Sequence, residues 1–231
     1  MGYNPDLLDF VVDWSGRFGI KPGAAVLDIG TQELFCENDP ASLNRFLTHF
    51  GATPYEGEEL AKMANRAFAA PLFQRARLKY RAVDITPYPH TLKLDLNTGS
   101  LPFWHRRRYA LVVNAGTTEH VLNQLNVFRL IHDACAVGGL MYHGVPIAGD
   151  FWHGFVAYRP KLFSRLHEAN DYEFIDRWIW AADERRSYEE IDDASFSAPF
   201  AAQDAWLHIL LRRKTLAPFK APSDCVGWPP V

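Results

Sequence analysis

The segment AAVLDIG at residues 24–30 constrains the fold more than any other part of the chain. It is a short apolar run that contains the β-branched residues Val26 and Ile29 and ends at Gly30. Such a run is typical of a central parallel strand that is covered on both faces. The segment therefore predicts the first strand of an α/β domain of the kind that binds a nucleotide at the following turn.

Helices and strands alternate along the rest of the chain. A helix is predicted from Asn4-Pro5, where an N-cap residue precedes proline at the first helical position. Apolar residues at helical spacing predict further helices in 40–51, 58–68, 117–139 and 160–170. Apolar or alternating runs predict further strands at 80–85, 91–96, 109–116, 140–145, 172–180 and 205–213. This order indicates an α/β fold that ends with two strands in close succession.

The length of the chain, 231 residues, fits one large α/β domain and is short for two independent ones. We predict a single domain over 1–216, with a helical insertion at about 31–79 that either covers the ligand site or lengthens one crossover. Residues 181–204 are polar and acidic, which predicts a long surface loop or a partial helix. The proline-rich tail at 217–231 is predicted to lack regular structure.

The charge, the cysteines and the hydropathy of the chain indicate which kinds of ligand and which cellular environment to expect. The net charge is -3 with acidic and basic residues mixed, which argues against nucleic acid and favours a small, neutral or weakly charged substrate. Three cysteines without CxxC spacing predict reduced thiols. No apolar run approaches the roughly 18 residues of a membrane span. We expect a cytoplasmic protein, monomeric or homodimeric, with no membrane partner.

An aspartate, Asp84, lies at the end of the predicted second strand, 80–85. In nucleotide-binding α/β domains, a carboxylate at this position accepts the ribose hydroxyls. Asp84 lies 56 residues after Asp28, whereas the dinucleotide fingerprint has its acid roughly 20 residues after its glycines. This spacing and the missing GxGxxG motif weigh against a nicotinamide-dependent oxidoreductase.

Five ordered motifs carry a resemblance to a known family: VLDIG, AVDI, KLDLN, YALVVNAGTTEHV and HDACAVGGLMYHGVP. Together they closely resemble the motifs of class I S-adenosylmethionine-dependent methyltransferases, in particular a bacterial branch with a GTTEHV motif. The resemblance spans residues 24 to about 180. It implies a Rossmann-like, seven-stranded, mostly parallel sheet with helices on both faces and an antiparallel last strand. It also implies S-adenosyl-L-methionine as cofactor and methyl transfer as the reaction.

The resemblance implies cofactor contacts at the ends of the first three strands. Asp28 and Gly30 would border the methionine end, and Asp84 would accept both ribose hydroxyls. Asp95, with the backbone of Leu96, would face the adenine, because a carboxylate can accept a hydrogen bond from the exocyclic amine. These positions suit the carboxyl ends of strands, where open α/β sheets bind ligands.

The first loop departs from the family's pattern, an acidic residue followed by alternating glycines. Gln32 and Leu34 replace the second and third glycines. We expect the side chains of Thr31 and Gln32 to bind the cofactor's carboxylate or amine where bare backbone usually does so. The alternative is a fold whose cofactor pocket is blocked.

The resemblance puts Asn114 and Gly116, at the end of the fourth strand, beside the sulfonium and the substrate mouth. His120 is the first candidate for a general base, because imidazole titrates near neutral pH. A role at a helix N-terminus, bonded to the turn, is equally favoured for it. Glu119 either orients His120 or caps the helix, and we favour capping.

Two more histidines are predicted on the substrate side: His143 on the fifth strand as a catalytic residue, and His153 in the following loop. Glu119 and His153 are predicted to contact the substrate. A divalent metal could in principle bind a set drawn from Glu119, His120, His143, Asp150 and His153. Their spacing matches no compact ligand motif such as HExxH, so we predict no metal.

Aromatic residues crowd the segment after the fifth strand. Phe151, Trp152, Phe155 and Tyr158 either line an acceptor pocket or pack in the core, and we favour the core.

Three functions are weighed. The first is S-adenosylmethionine-dependent methyl transfer to oxygen or nitrogen of a small metabolite, with a sugar or glycan precursor as one candidate. The second is a non-catalytic, methyltransferase-like binding protein, which cofactor affinity would distinguish. The third and least favoured is a nicotinamide-dependent oxidoreductase.

Overall fold

The structure, a computed structural model, describes residues 2–149, 152–181, 184–187 and 204–224. The helices of these ranges are α1 Pro5–Phe18, α2 Ala41–His49, α3 Gly57–Ala64, α4 Ala69–Arg75, α5 Gln124–Ala134 and α6 Pro160–Asn170. The strands are β1 Ala25–Ile29, β2 Glu33–Phe35, β3 Asn65–Phe68, β4 Lys79–Asp84, β5 Thr91–Lys93, β6 Tyr109–Ala115, β7 Cys135–Ala148, β8 Tyr172–Ala181, β9 Glu184–Ser187 and β10 Ala205–Arg213.

One large sheet has the strand order β5-β4-β1-β6-β7-β10-β8-β9. β1 is parallel to β4 and β6, β4 to β5, and β6 to β7, whereas β10 is antiparallel to both β7 and β8. All of these strands except β9 form the Rossmann-like, mostly parallel sheet with an antiparallel last strand that the resemblance implied, so that prediction is confirmed. β9 extends the edge beside β8, inside the segment predicted to be a loop or partial helix.

Helices cover both faces of this sheet, as predicted. Successive side chains of a strand point to opposite faces. Val26 and Leu111 therefore belong to the core that packs against α1, α2 and α4. Leu27 and Val112 belong to the core that packs against α5 and α6. Every position of β1 is buried, as a central parallel strand requires.

The predicted helix starts at Asn4-Pro5 and Pro160 are confirmed. Asn4 caps α1, because its side chain accepts a hydrogen bond of 2.9 Å from the Leu7 N–H. Gly19 ends α1 with a φ of +69°, a left-handed conformation that glycine adopts without strain. Pro160 opens α6 at its first turn.

Other predicted boundaries are wrong, because sheet pairing overrides helical spacing. Residues 65–68 leave the helix predicted over 58–68 and form β3, which pairs with β2. The helix predicted over 117–139 is a 3-10 turn at Thr118–His120 followed by α5, and Cys135 already pairs with Tyr109. Gly138-Gly139 lies within β7, where the register with β6 shifts. The third strand stops at Lys93, two residues before Asp95.

No helix in the described ranges is long and apolar enough to cross a membrane. Cys36 and Cys135 are buried free thiols, and Cys225 lies outside the described residues. In the predicted tail, residues 217–224 have no regular secondary structure, and residues 225–231 lie outside the described residues. Most of the predicted loop at 181–204, namely 182–183 and 188–203, also lies outside them. The division of the chain into a domain over 1–216 and a tail stays a prediction.

Candidate functional site

The carboxyl ends of β1, β4, β6 and β7 meet at one edge of the sheet, because these strands run in parallel. The turns after these strands carry most of the residues predicted to bind a cofactor or substrate. Such an edge is where open α/β sheets hold ligands. The fold thus brings the predicted binding and catalytic residues of distant sequence segments to the carboxyl ends of these strands.

The turn after β1 is joined to the end of β4. Gly30 has a φ of +80°, in the left-handed region that favours glycine, and its N–H donates to the Val83 carbonyl at 2.8 Å. The Thr31 N–H donates to Asp84 Oδ2 at 2.8 Å, and the Thr86 N–H donates to Asp84 Oδ1 at 2.9 Å. The half-buried Asp84 carboxylate therefore orders the first turn and faces the predicted cofactor edge.

Gln32 connects the turn after β1 with the turn after β6. Its side chain is buried, and Nε2 donates to the Ile29 carbonyl at 3.2 Å and to Thr117 Oγ1 at 3.1 Å. A Cβ added to Gly30 would lie 2.4 Å from the same Thr117 Oγ1. Thr31 Oγ1 lies 3.0 Å from Thr91 Oγ1. Both side chains proposed to replace the lost glycines thus have protein partners, and their cofactor contacts stay predictions.

Asp28 is fully buried. The Tyr3 hydroxyl donates to its Oδ1 at 2.7 Å, and the Tyr80 hydroxyl donates to its Oδ2 at 2.5 Å. Burial raises the pKa of Asp28, and the hydrogen bonds from Tyr80 and Tyr3 lower it by less, so that the net pKa is about 7. Each carboxylate oxygen accepts from one tyrosine, and the contact of Asp28 with the methionine end stays a prediction.

The turn after β5 is closed by Asp95. Its Oδ1 accepts from the Asn97 N–H at 2.8 Å, and its Oδ2 accepts from Thr98 Oγ1 at 3.2 Å. The hydrogen bond from the Asn97 backbone lowers the pKa of Asp95. Leu96 is buried, and its carbonyl accepts from Asn126 Nδ2 at 2.8 Å. Since β5 pairs with β4, this turn lies on the side of Asp84 away from β1.

The Asn114 side chain is buried and binds its own turn. Its Oδ1 accepts from the Thr118 N–H at 3.2 Å, and its Nδ2 donates to Thr118 Oγ1 at 2.9 Å. Asn114 Nδ2 also lies 3.3 Å from Nδ1 of His143, its register neighbour on β7. Gly116 has a φ of +72° and turns the chain away from β6.

His143 lies in an apolar environment. It is buried, with its ring against Phe128 and Phe163 at centroid distances of 5.6 Å and 5.2 Å. Burial lowers the pKa of His143 to about 3, so the ring is neutral and a weak base near neutral pH. This environment argues against the predicted catalytic role and favours support of Asn114.

Glu119, His120 and His153 come together, although 34 residues separate the first from the last. Glu119 Oε1 lies 3.2 Å from His153 Nε2 and 3.9 Å from His120 Nε2. The Glu119 side chain is 0% exposed, that of His153 is 27% exposed and that of His120 is 50% exposed. The two rings form an edge contact at 4.9 Å. The predicted base and the two predicted substrate residues thus form one group, which we call the Glu119 cluster.

The backbone around Glu119 fixes the loop that carries His153. The Glu119 carbonyl accepts from the N–H groups of Phe155 at 2.7 Å and Val156 at 3.2 Å. Gly154 has a φ of +72°, and a Cβ there would lie 3.0 Å from Glu119 Cγ. Glycine at this position therefore permits the close approach of the loop.

The favoured prediction that Glu119 caps the following helix is wrong. Asn123 is the N-cap of α5, and its side chain accepts from the Asn126 N–H at 3.1 Å. Glu119 Oε1 faces His153 instead. Of the other residues considered for a metal, His143 is separate from this cluster, and Asp150 lies outside the described residues.

The aromatic residues after β7 do not share one environment. Trp152 and Phe155 are 98% and 75% exposed, so the favoured prediction of core packing is wrong for them. It is confirmed for Tyr158, which is buried, and Phe151 lies outside the described residues.

Two cavities lie beside β7. The larger, of about 370 Å³, is lined by His153, Phe155, Asp204 and Trp206, among others. The smaller, of about 110 Å³, lies beside α1 and is lined by Trp178, Trp180 and Trp206, among others. Trp206 lines both cavities. The larger one adjoins the Glu119 cluster and is the candidate acceptor site.

Sequence reasoning missed several residues of this edge, among them Tyr3, Tyr80, Thr117 and Gly154. The hydroxyl partners of Asp28 lie 25 and 52 residues from it along the chain. Among these residues, Gly154 carried a local signal, because it lies between His153 and Phe155 in the segment WHGF.

No family model matches the chain, and a comparison with curated proteins finds no match. Solved structures do resemble it. One is Burkholderia thailandensis 1,6-didemethyltoxoflavin-N1-methyltransferase with bound 1,6-didemethyltoxoflavin and S-adenosylhomocysteine, at 12% identity over 91% of this chain and 78% of that chain, with a TM-score of 0.46. Another is coclaurine N-methyltransferase bound to N-methylheliamine and S-adenosylhomocysteine, at 11% identity over 90% and 71% of the two chains, with a TM-score of 0.46.

A third similar structure is Haemonchus contortus phosphoethanolamine N-methyltransferase 2 in complex with S-adenosyl-L-methionine, at 13% identity over 89% of this chain and 52% of that chain, with a TM-score of 0.46. These likenesses concern the course of the chain and not its chemistry.

Proposed function

We propose that this chain is an S-adenosylmethionine-dependent methyltransferase that acts on oxygen or nitrogen of a small molecule. One observation carries the proposal. The Asp84 carboxylate, at the end of the strand beside β1, accepts the first N–H after the Gly30 turn at 2.8 Å. In nucleotide-binding α/β sheets, this is the position at which a carboxylate meets the ribose of a ligand that lies over the first turn.

The Asp84 carboxylate retains acceptor capacity for two ribose hydroxyls. A carboxylate offers about four lone-pair sites. The N–H groups of Thr31 and Thr86 use one site on each oxygen. Each oxygen therefore has about one site left. A ribose with adjacent hydroxyls would fill both.

The position of the ribose determines where the adenine and the methionine end of the cofactor would lie. The adenine would lie towards the Asp95 turn, because β5 pairs with β4 on that side. The methionine end would lie towards the turns at Gly30 and Gly116, at the ends of β1 and β6. Here the Gln32 amide must move away from Thr117 Oγ1, or turn its oxygen to the cofactor's ammonium group.

The reaction needs alignment more than covalent help from the protein. A bound S-adenosylmethionine would supply an activated methyl group, and the turns after β1, β4 and β6 would hold it facing a lone pair of the acceptor. The acceptor loses its proton to a base or to solvent. The cavity of about 370 Å³ beside His153 is the proposed acceptor site, while a sugar or glycan precursor as acceptor stays a prediction.

Calorimetric titration of Asp84→Asn tests the proposal. A hydrogen bond to a charged group is worth about 1.5–3 kcal/mol, so we expect S-adenosylhomocysteine to bind roughly 10- to 150-fold more weakly. The matched control is Asp171→Asn, because Asp171 forms an exposed ion pair with Lys214 and has a φ of +50°, which asparagine also tolerates. Equal affinity in wild type and Asp84→Asn would refute the ribose assignment.

A second function, a non-catalytic binding protein with the same fold, is favoured by a different observation. Gln32 bridges to Thr117 across the place proposed for the methionine end. If this contact persists, the cofactor does not fit. Titration of Gln32→Ala separates the two functions: binding that appears only in this variant indicates a closed pocket in the natural chain.

A further inference from the structure

We propose that Glu119, His120 and His153 bind one divalent transition-metal ion of the Zn²⁺ type. The sequence spacing gave no metal motif, and the site arises only when the loop after β7 folds over the turn after β6. Two imidazoles and one carboxylate are ligands that suit zinc and other first-row metals.

The distances fit one ion. Zinc lies about 2.0–2.2 Å from nitrogen and oxygen ligands, so two ligand atoms of a tetrahedral site lie about 3.3–3.6 Å apart. Glu119 Oε1 lies 3.2 Å from His153 Nε2 and 3.9 Å from His120 Nε2, and all three ligand atoms lie within 4.8 Å of one another. The half-exposed His120 side chain has to move by roughly 1–1.5 Å towards the other two ligand atoms to complete a tetrahedral site.

A second observation points to a missing ligand. Glu119 Oε2 is buried and has no hydrogen-bond partner among the described residues. A buried polar atom without a partner costs roughly 1–3 kcal/mol, and more when it is charged. Most buried side-chain polar atoms in proteins therefore have a partner. A cation on Glu119 Oε1 would neutralise the charge that the two carboxylate oxygens share, which would lower the cost of burying Oε2 without a donor.

The surrounding backbone holds two of the three ligands in place. The Glu119 carbonyl binds the N–H groups of Phe155 and Val156, which fixes the loop of His153 relative to Glu119. Glycine at 154 lets this loop approach to contact distance. The His153 ring also makes an edge contact with Trp206, at a centroid distance of 5.6 Å. Packing of this kind limits the ring orientations open to a ligand.

Three protein ligands leave a coordination position open for water or substrate, as in catalytic zinc sites. His153 also lines the cavity of about 370 Å³, so an ion held by the Glu119 cluster would lie beside that cavity. This part of the inference rests on the proposed function: a metal there would bind a hydroxyl-bearing acceptor and lower the pKa of the hydroxyl. His120 then acts as a metal ligand and not as the general base.

Zinc titration of chelator-treated protein, produced without a polyhistidine tag, tests the site. We expect wild type to bind one Zn²⁺ per chain, and Co²⁺ to give the intense visible absorption of a four-coordinate site. His120→Ala removes a half-exposed side chain and should leave the fold intact, while Glu119→Gln removes the carboxylate. His49→Ala, an exposed histidine on α2, is the matched control.

We expect His120→Ala and Glu119→Gln to weaken Zn²⁺ binding about 100-fold or more, since loss of even a supporting partner costs 10- to 100-fold. His49→Ala should bind as wild type does. The inference is overturned if wild type binds no Zn²⁺, or if His120→Ala binds as tightly as wild type. S-adenosylhomocysteine affinity of the same metal-free protein is measured in parallel, so failure of the metal site and failure of the proposed function are separate results.

Discussion

The Tyr3 hydroxyl donates a hydrogen bond of 2.7 Å to Asp28 Oδ1, which ties the segment before α1 to the central strand of the sheet. Tyr80 donates to the other oxygen from the neighbouring strand β4. Burial raises the pKa of Asp28 to about 7, far above its usual value of 3.8. A buried carboxyl with this pKa makes stability depend on pH in a defined direction.

Asp28 should make the protein less stable as pH rises from about 4 to 7. In this window the folded state keeps the proton that the unfolded state has lost, so the free energy of unfolding falls by up to about 1.4 kcal/mol per pH unit. Asp28→Asn has no such titration, so its stability relative to wild type should increase with pH. Urea unfolding of both proteins at pH 5 and pH 8 measures this. A difference that stays constant between the two pH values would contradict the account.

Tyr3→Phe should lower the free energy of unfolding by about 1.5–3 kcal/mol, because it removes a hydrogen bond to a group that becomes charged near neutral pH. The ring still packs against Phe73 at 5.0 Å, so the loss is confined to the hydroxyl. Chemical denaturation at pH 8 gives the value. Tyr88→Phe, at a tyrosine that is 40% exposed, is the control and should change stability by less than about 0.5 kcal/mol.

His132 should destabilise the protein in acid. It is buried, and burial and the nearby Arg213 lower its pKa to about 4, from an ordinary value of 6.5. Between pH 6.5 and pH 4, His132 binds a proton in the unfolded state but not in the folded state. The free energy of unfolding therefore falls as pH falls through this range. His132→Gln removes this contribution.

Unfolding of wild type and His132→Gln over pH 4.5–7 tests the linkage. Subtracting one curve from the other removes the opposite contribution of Asp28, which is common to both proteins. The wild type should lose stability relative to the variant towards low pH. Parallel curves would refute a lowered pKa for His132.

Gly154→Ala should displace the loop of His153. Alanine at a φ of +72° is strained by about 1–3 kcal/mol, and its Cβ would lie 3.0 Å from Glu119 Cγ. Gly19→Ala has the same strain at a φ of +69°, but its Cβ would meet no atom of the described residues within 4 Å. Both variants should therefore lose thermal stability, and only Gly154→Ala should also lose Zn²⁺ affinity. Equal Zn²⁺ affinity in the two variants would mean that the loop position does not matter.

The sequence predicted local structure where signals lie close together. Asn4 and Pro160 mark helix starts, and Asp84 stands at the end of its strand as predicted, because capping and strand burial depend on near neighbours. The mostly parallel sheet with an antiparallel last strand followed from the family resemblance and not from periodicity. Cys135 was assigned to a helix because pairing with Tyr109 is a long-range contact that helical spacing does not reveal.

The candidate site was less predictable, for the same reason. Gln32 and Thr117 are 85 residues apart, and Glu119 and His153 are 34 residues apart. No spacing rule covers such contacts, so the contact across the first turn and the Glu119 cluster became visible only in the fold. The burial that makes His143 a weak base is likewise a property of α5 and α6 packing on β7.

Calorimetric titration of the wild-type chain with S-adenosylhomocysteine, with NAD as the comparison, tests the central claim most directly. The account predicts one binding site with a Kd of about 100 μM or tighter for S-adenosylhomocysteine, equivalent to roughly 5.5 kcal/mol, and no binding of NAD. Absence of S-adenosylhomocysteine binding, or tighter binding of NAD, would contradict it. In the first case the Gln32–Thr117 contact would mark a closed pocket, and in the second Asp84 would hold the ribose of a different cofactor.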